Sequence, residues 1–292
     1  MNPVKIHQIF YREDQIPRLD PMFVPYDNRG VRDPFLEFAV IRKLNKLYAE
    51  CNDCKYWGAL SWKFKEKTGL DGQDIFDFVS SHDHADAFYC NPSPAAEGLF
   101  HNFWMHGEST HPKFLCLAAE VFRNADLNVD LLNYMHPSYA FASANYIIAK
   151  PTFWERYIGF VDNIMDAAMK NKLLRERLLS KDADERNVHA GACYIPFFVE
   201  RLFSLFLTLP VSSGFNCIKY PVPAPEKKIG LHPRKLREMK DAACHTRSQW
   251  LAGCWLAYRT LYLNRTEGSK TDRVHLPAIT NPDFRFAKTY GI

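Results

Sequence analysis

At 292 residues, with 47% hydrophobic and 14% aromatic content, the chain can bury a large core, and its composition excludes intrinsic disorder. A formal net charge of +4 is too mild for a dedicated nucleic-acid binder, whose cations would dominate one face. The eight cysteines show no framework spacing. Cys51-Asn52-Asp53-Cys54 is a single CxxC with no second pair to complete a zinc site, so free thiols in a reducing cytoplasm are expected.

The opening Met1-Asn2-Pro3-Val4-Lys5-Ile6-His7-Gln8 lacks the layout of a signal peptide. Val4 to Tyr11 alternates as a first core strand would, and Leu19 to Gly30 is loop-like. Asp33-Pro34 reads as an N-cap followed by proline at the first position of a helix running to Tyr48. From Tyr56 to Gly69, neither helix nor strand periodicity explains why Ser61, Lys63, Lys67 and Thr68 sit among aromatics. A loop holding an anionic, ring-bearing ligand would explain it. Asp71 to Ser80 should be a short helix, and Ala85 to Asn91 a strand stopped by Pro92.

His111-Pro112 opens a further helix through Val121, and Tyr139 to Lys150 reads as strand or turn. Tyr157 to Ser180 repeats apolar residues at helical spacing, and His189 to Tyr194 fits a short strand. Ile195 to Leu209 is a helix apolar on nearly every side, and therefore buried; with Glu200 and Arg201 inside it, the run to Pro210 is too short to span a bilayer. This alternation predicts an α/β fold, a mainly parallel sheet with helices on both faces. Beyond Tyr220 the stiff Pro221-Val222-Pro223-Ala224-Pro225 leads into a basic segment, Lys227 to Arg247, and an aromatic-rich helix around Trp250 to Tyr262. The expected division is 1–220 for the main domain and 221–292 for a helical extension. The basic tail suits either an anionic membrane surface or a solvated helix face.

Ligands of α/β sheets bind where loops leave the carboxyl ends of strands. In the early loop Tyr26 could stack on a base while Asp27 or Asn28 accepts from its edge or from a ribose hydroxyl; the competing reading is an Asx-stabilised turn. Lys63 and Lys67 could neutralise a diphosphate with Ser61 and Thr68 donating hydrogen bonds, or form an exposed basic helix start. Asp86 and Asn91 bracket a strand and suit a divalent metal or a sugar hydroxyl. His82, Asp83, His84 and Asp86 could ligate a metal but read more simply as a polar helix end, and Asp182-Ala183-Asp184, though spaced as a metal-binding Asp-x-Asp, reads as a solvated connection.

Glu200 and Arg201 are either a structural pair or place Glu200 at a site as base or hydroxyl-orienting group, with His189 upstream as a further acid/base candidate. Asn145, Tyr146, Lys150, Phe153 and Trp154 form a polar-aromatic group that suits a sugar, or a core edge.

Five blocks carry a resemblance: Lys5 to Tyr11, Phe23 to Asn28, Tyr56 to Gly69, Asp86 to Pro92 and Pro196 to Phe203. Together they resemble a bacterial glycosyltransferase family of surface-polysaccharide (O-antigen or capsule) biosynthesis, with GT-A-like features in the His-Gln-Ile of the first strand and the glutamate of the late helix. The resemblance covers roughly residues 4–210. It implies a Rossmann-type GT-A-like sheet, a nucleotide-sugar donor such as a UDP-sugar, and a glycan or lipid-linked saccharide acceptor. Tyr26, Asp27, Asn28, Ser61, Lys63, Lys67, Thr68, Asp86 and Asn91 would then hold the donor, Asn145, Tyr146 and Trp154 the acceptor, and Glu200 with His189 the catalytic step. It further implies a cytoplasmic enzyme working beside other glycosyltransferases; the basic tail, outside the match, would be what seats it peripherally on the inner membrane. The Asp-x-Asp of such enzymes is missing, which leaves a Mn2+ or Mg2+ cofactor open. A non-catalytic carbohydrate-binding or scaffolding module is the rival from another class. A nucleotide-sugar hydrolase or phosphoryl-transfer enzyme ranks third, since no Gly-rich phosphate loop appears.

Overall fold

The computed structural model describes residues 4–49, 53–180, 192–265 and 283–287. Six strands form the central sheet: β1 (Val4–Phe10), β2 (Val24–Asp27), β3 (Tyr56–Ser61), β4 (Ala87–Tyr89), β6 (Ile147–Ala149) and β7 (Cys217–Lys219). Their order is β2-β1-β3-β6-β4-β7, and β5 (Tyr134–Met135) pairs with β8 (Arg285–Phe286) in a separate ribbon. Every pairing in the six-stranded sheet is parallel except those of β6, which runs antiparallel to both β3 and β4. The fold is thus α/β with a mixed, mostly parallel sheet.

Period-2 alternation decides what each face buries. Along β3, Trp57 and Ala59 join one apolar layer while Tyr56 and Leu60 join the other. Ala87 and Tyr89 against Phe88, and Ile147 and Ala149 against Ile148, follow the same rule. The first layer is closed by α1 (Glu37–Tyr48), α5 (Phe103–Thr110), α6 (Phe114–Asn124), α7 (Pro151–Lys170), α8 (Lys172–Leu179) and α9 (Tyr194–Phe206). The second is closed by α3 (Gly72–Ser81) and by Phe64 of α2 (Phe64–Thr68). Each large apolar side chain buried here contributes about 1.5–3 kcal/mol.

Gly58 sits where β6 approaches most closely. A Cβ at that position would lie 2.6 Å from the Ile147 carbonyl oxygen, so the glycine of the aromatic motif serves the sheet.

Several elements differ from expectation. Tyr56 to Ser61 is a central strand, with Tyr56 and Trp57 fully buried; only the residues after it turn into α2. Asp33 does not cap α1. Its carboxylate accepts from the Phe35 amide at 2.9 Å in a turn, and the helix begins at Glu37. Asp71 does cap α3 by accepting from Asp74 N. The long helix foreseen from Tyr157 starts earlier, at Pro151, and breaks at Asn171. There the Asn171 side chain accepts from Leu173 N at 3.1 Å and caps α8. His189, Asp182 and Asp184 lie outside the described residues.

The C-terminal helices α10 (Pro223–Lys227), α11 (Leu231–Thr246) and α12 (Gln249–Arg265) pack around α4 (Pro94–Leu99). Much of their positive charge is used internally. Lys240 is fully buried and donates to Phe100 O at 3.0 Å, Arg259 donates to Leu99 O, and Arg237 pairs with Glu226 and Glu97. Lys227, Lys228 and Arg247 remain exposed. No helix among the described residues is long and apolar enough to cross a membrane.

Candidate functional site

Because β6 is antiparallel, its amino end shares an edge with the carboxyl ends of β1, β3 and β4. Tyr11, Ser61, Ser93 and the pair Asn145–Tyr146 therefore converge from distant parts of the sequence. This is the edge where open α/β sheets place their ligands.

A cavity of about 460 Å³ opens there, lined by Tyr11, Glu37, Lys67, His106, Glu200 and Arg201 among others. A second cavity of about 30 Å³, lined by Ser61, Asn145 and Tyr146, adjoins it and shares Glu37, Lys67 and Glu200. The volume and the mixture of aromatic and charged lining suit a ligand of small-molecule size.

Each charged group arrives for a local reason. Leu36 has φ +46°, a left-handed value costing a non-glycine residue about 1–3 kcal/mol. That turn starts α1 abruptly and presents Glu37 to the cavity. Lys67 lies in the last turn of α2, a short helix closed by Gly69 at φ +75°. Glu200 and Arg201 are neighbours on the otherwise apolar α9. Consecutive residues of a helix point about 100° apart, and these two divide the cavity. Glu200 faces the Glu37–Lys67 end, whereas Arg201 runs along α5 between the Phe103 and Phe114 rings, 4.9 and 4.8 Å from their centroids.

Burial dominates the electrostatics. Glu200 lies deep but touches the cavity, and burial, reinforced by Glu37, raises its carboxyl from 4.5 to about 7. Burial also raises Glu37, against an opposing pull from Lys67. Arg201 is only 3% exposed, and burial lowers it to about 10. Its Nη1 donates to Phe197 O at 2.6 Å, and its Nε has no partner. His106 is held neutral, lowered to about 3 by burial and then by Arg201 and His111. Its Nδ1, the Tyr11 hydroxyl and Asn145 Oδ1 are buried without a well-formed hydrogen bond. Such orphaned polar atoms are uncommon in folded proteins, and here they cluster around one space.

The residues singled out in the sequence divide into three groups. Ser61, Lys67, Asn145, Tyr146 and Glu200 meet at the cavities, with Ser61 Oγ and the Tyr146 hydroxyl 2.9 Å apart. Asn28 and Asn91 stand just behind. Asn28 is buried and acts on the Tyr11 hydroxyl. Asn91 accepts from Ser143 Oγ at 2.6 Å and from Ser93 N at 3.1 Å, fixing two residues of the cavity wall.

The remainder lie elsewhere and are corrected. Thr68 is fully buried, donating to Phe64 O and accepting from Leu70 N, so its hydroxyl is committed to the turn. Lys63 lies over the Trp62 ring, outside the cavity lining. Asp27 is exposed and paired with Arg29. The Tyr26 ring packs edge-on against His7. Asp86 precedes β4, at the opposite end of the strand from Asn91, and is satisfied by Lys150 at 2.9 Å and Asn216 N at 2.7 Å. Trp154 is core: it stacks on Trp57 at 4.5 Å and donates from Nε1 to Trp57 O.

Sequence reading missed Glu37, Tyr11 and His106. A carboxylate among Phe35, Leu36, Phe38 and Ala39 was the available signal for Glu37; nothing local marked the other two. Among the described residues no group of three His, Cys, Asp or Glu side chains could hold a metal. No protein-family model, curated protein or solved structure matches this chain.

Proposed function

We propose that the protein is a nucleotide-sugar-dependent glycosyltransferase of GT-A-like architecture, with Glu200 as general base. The observation that carries this reading is one cleft, on the ligand-binding edge of the sheet, that joins a carboxylate poised near neutrality to a lysine. A sheet parallel except for one reversed strand supports the architecture.

In the proposed reaction an acceptor hydroxyl oxygen attacks the anomeric carbon of the donor sugar. The bond from that carbon to the diphosphate oxygen breaks, and the hydroxyl proton passes to the Glu200 carboxylate. Lys67 neutralises the departing nucleoside diphosphate, and the nucleoside lies toward Tyr11, behind which Asn28 stands. Ser61, Asn145 and Tyr146 orient hydroxyls of the transferred sugar or of the acceptor. A base with a pKa near the working pH is the most effective for this transfer. Among the described residues no three-ligand group is placed to hold Mn2+ or Mg2+.

The test is a thermal-shift screen against nucleotide sugars, with and without manganese or magnesium, followed by turnover of any stabilising donor. Selective stabilisation followed by donor hydrolysis or transfer that is lost in E200Q is expected. Stabilisation without turnover by any donor would leave a carbohydrate-binding module instead.

A further inference from the structure

The Arg201 end of the cleft is not used by the reaction above. Its guanidinium is enclosed by Phe103, Phe114 and the Gly107 backbone, where even a Cβ on Gly107 would come within 2.7 Å of Nε. Among the described residues it has no carboxylate within ion-pair distance, and its one hydrogen bond goes to the Phe197 carbonyl. A buried cation without a hydrogen-bonded counter-charge costs several kcal/mol. Elsewhere Lys219 and Arg237 reach Glu97 and Lys150 reaches Asp86, whereas Lys240 and Arg259 rest on carbonyl oxygens; Arg201 differs from both kinds in bordering the cavity with an unpartnered Nε.

Arg201 instead borders the 460 Å³ cavity together with His106, Thr110 and His111. His106 brings a second unpartnered polar atom, Nδ1. The aromatic wall is rigid: His111 stacks on Phe197 at 3.9 Å and His106 on Phe103 at 5.2 Å. Glu37 shares the Lys67 end, and Glu200, next to Arg201 in α9, faces that end while also drawing on Arg201. One space thus has two poles, one acidic with a lysine, the other cationic and aromatic.

We propose that the Arg201–His106 end is an anion subsite for a charged group carried by the sugar itself, so that the substrate is an acidic saccharide. The planar guanidinium fork suits a carboxylate or a phosphate, and the flanking rings suit the apolar face of a pyranose. This inference rests on the transferase reading for the word substrate, but the subsite stands on its own geometry. A uronic-acid carboxylate and a sugar phosphate share the required chemistry.

The test uses the full chain and four probes: glucuronate, glucose, glucose 1-phosphate and inorganic phosphate. Glucuronate or glucose 1-phosphate should raise the melting temperature of the wild-type protein while glucose does not; whichever of the two acts identifies the anion. Inorganic phosphate separates capture of a charged sugar from capture of a bare ion. R201Q should bind the active probe about tenfold more weakly or worse, as loss of a charge-assisted hydrogen bond implies, and K63A, whose lysine lies outside the cavity lining, should bind it as the wild type does; a loss in K67A with R201Q unaffected would place the anion at the other pole and overturn the proposal. Equal shifts with glucose and glucuronate in the wild type would overturn the proposal without any variant, so a failure of R201Q to fold does not shelter it. A shift by inorganic phosphate alone would also overturn it. Turnover of a nucleotide sugar with no response to acidic probes would sink the subsite and leave the transferase reading standing. An acidic-sugar response without turnover of any donor would do the reverse.

Discussion

Replacing Glu200 by glutamine separates the folding cost of the cleft from its chemistry. A carboxyl raised from 4.5 to about 7 binds its proton more tightly in the folded than in the unfolded state. Its contribution to stability is therefore complete below about 4.5 and is lost as pH rises to about 7. At 1.36 kcal/mol per pH unit that loss is about 3 kcal/mol. Cavity water screens a carboxylate that is not fully enclosed, so about 1–3 kcal/mol is a fairer expectation. E200Q carries no charge to bury. Thermal melts should show it matching the wild type at pH 5 and melting about 2–6 °C higher at pH 8. Donor turnover should fall by a factor of about 10² or more. Equal melting shifts at both pH values, or no gain at pH 8, would refute the claim that Glu200 is a strained, burial-raised carboxylate.

Isothermal titration of a turned-over nucleotide sugar should show K67A weakened about tenfold and K63A unchanged, because only Lys67 borders the cavities; equal effects would remove the assignment of Lys67 to the diphosphate. T68V should lose about 1 kcal/mol in denaturant unfolding with donor affinity intact, since its hydroxyl holds a turn. W154F, which loses the indole bond to Trp57 O, should lower stability by about 1–2 kcal/mol while leaving KM for the acceptor unaltered. For G58A, a methyl 2.6 Å from the Ile147 carbonyl should cost about 2 kcal/mol or more and show as a lower midpoint in urea.

Local signals in the sequence carried the architecture further than the site. The alternation of Val4 to Tyr11, the short helix from Asp71 and the nearly all-apolar α9 each reflect forces acting within a few residues, and each was legible. The reversal of β6 was not. It depends on pairing Trp57 with Ala149 across some ninety residues, and a strand of three residues has too short a period to announce direction. The same limit explains the site. Lys67 and Glu200 could be suspected singly, because a lysine among aromatics and a charge in an apolar helix are locally anomalous. Asp86 and Trp154 looked equally anomalous, yet Lys150 and the Trp57 carbonyl satisfy them. Partners that far away in sequence decide whether a polar group is spent on the fold or left for a ligand.

The long-range pairing also bears on how the cleft comes into being. Its lining runs from Tyr11 to Arg201, and the β3–β6 and β4–β7 contacts that hold its base close loops of ninety to more than a hundred residues. Such topologies fold slowly, since loop-closure entropy is lost before distant contacts repay it. No amino-terminal fragment ending before α9 can display both poles of the cleft. A nascent chain has the Lys67 lip well before it acquires Glu200 and Arg201, which follow more than 130 residues later.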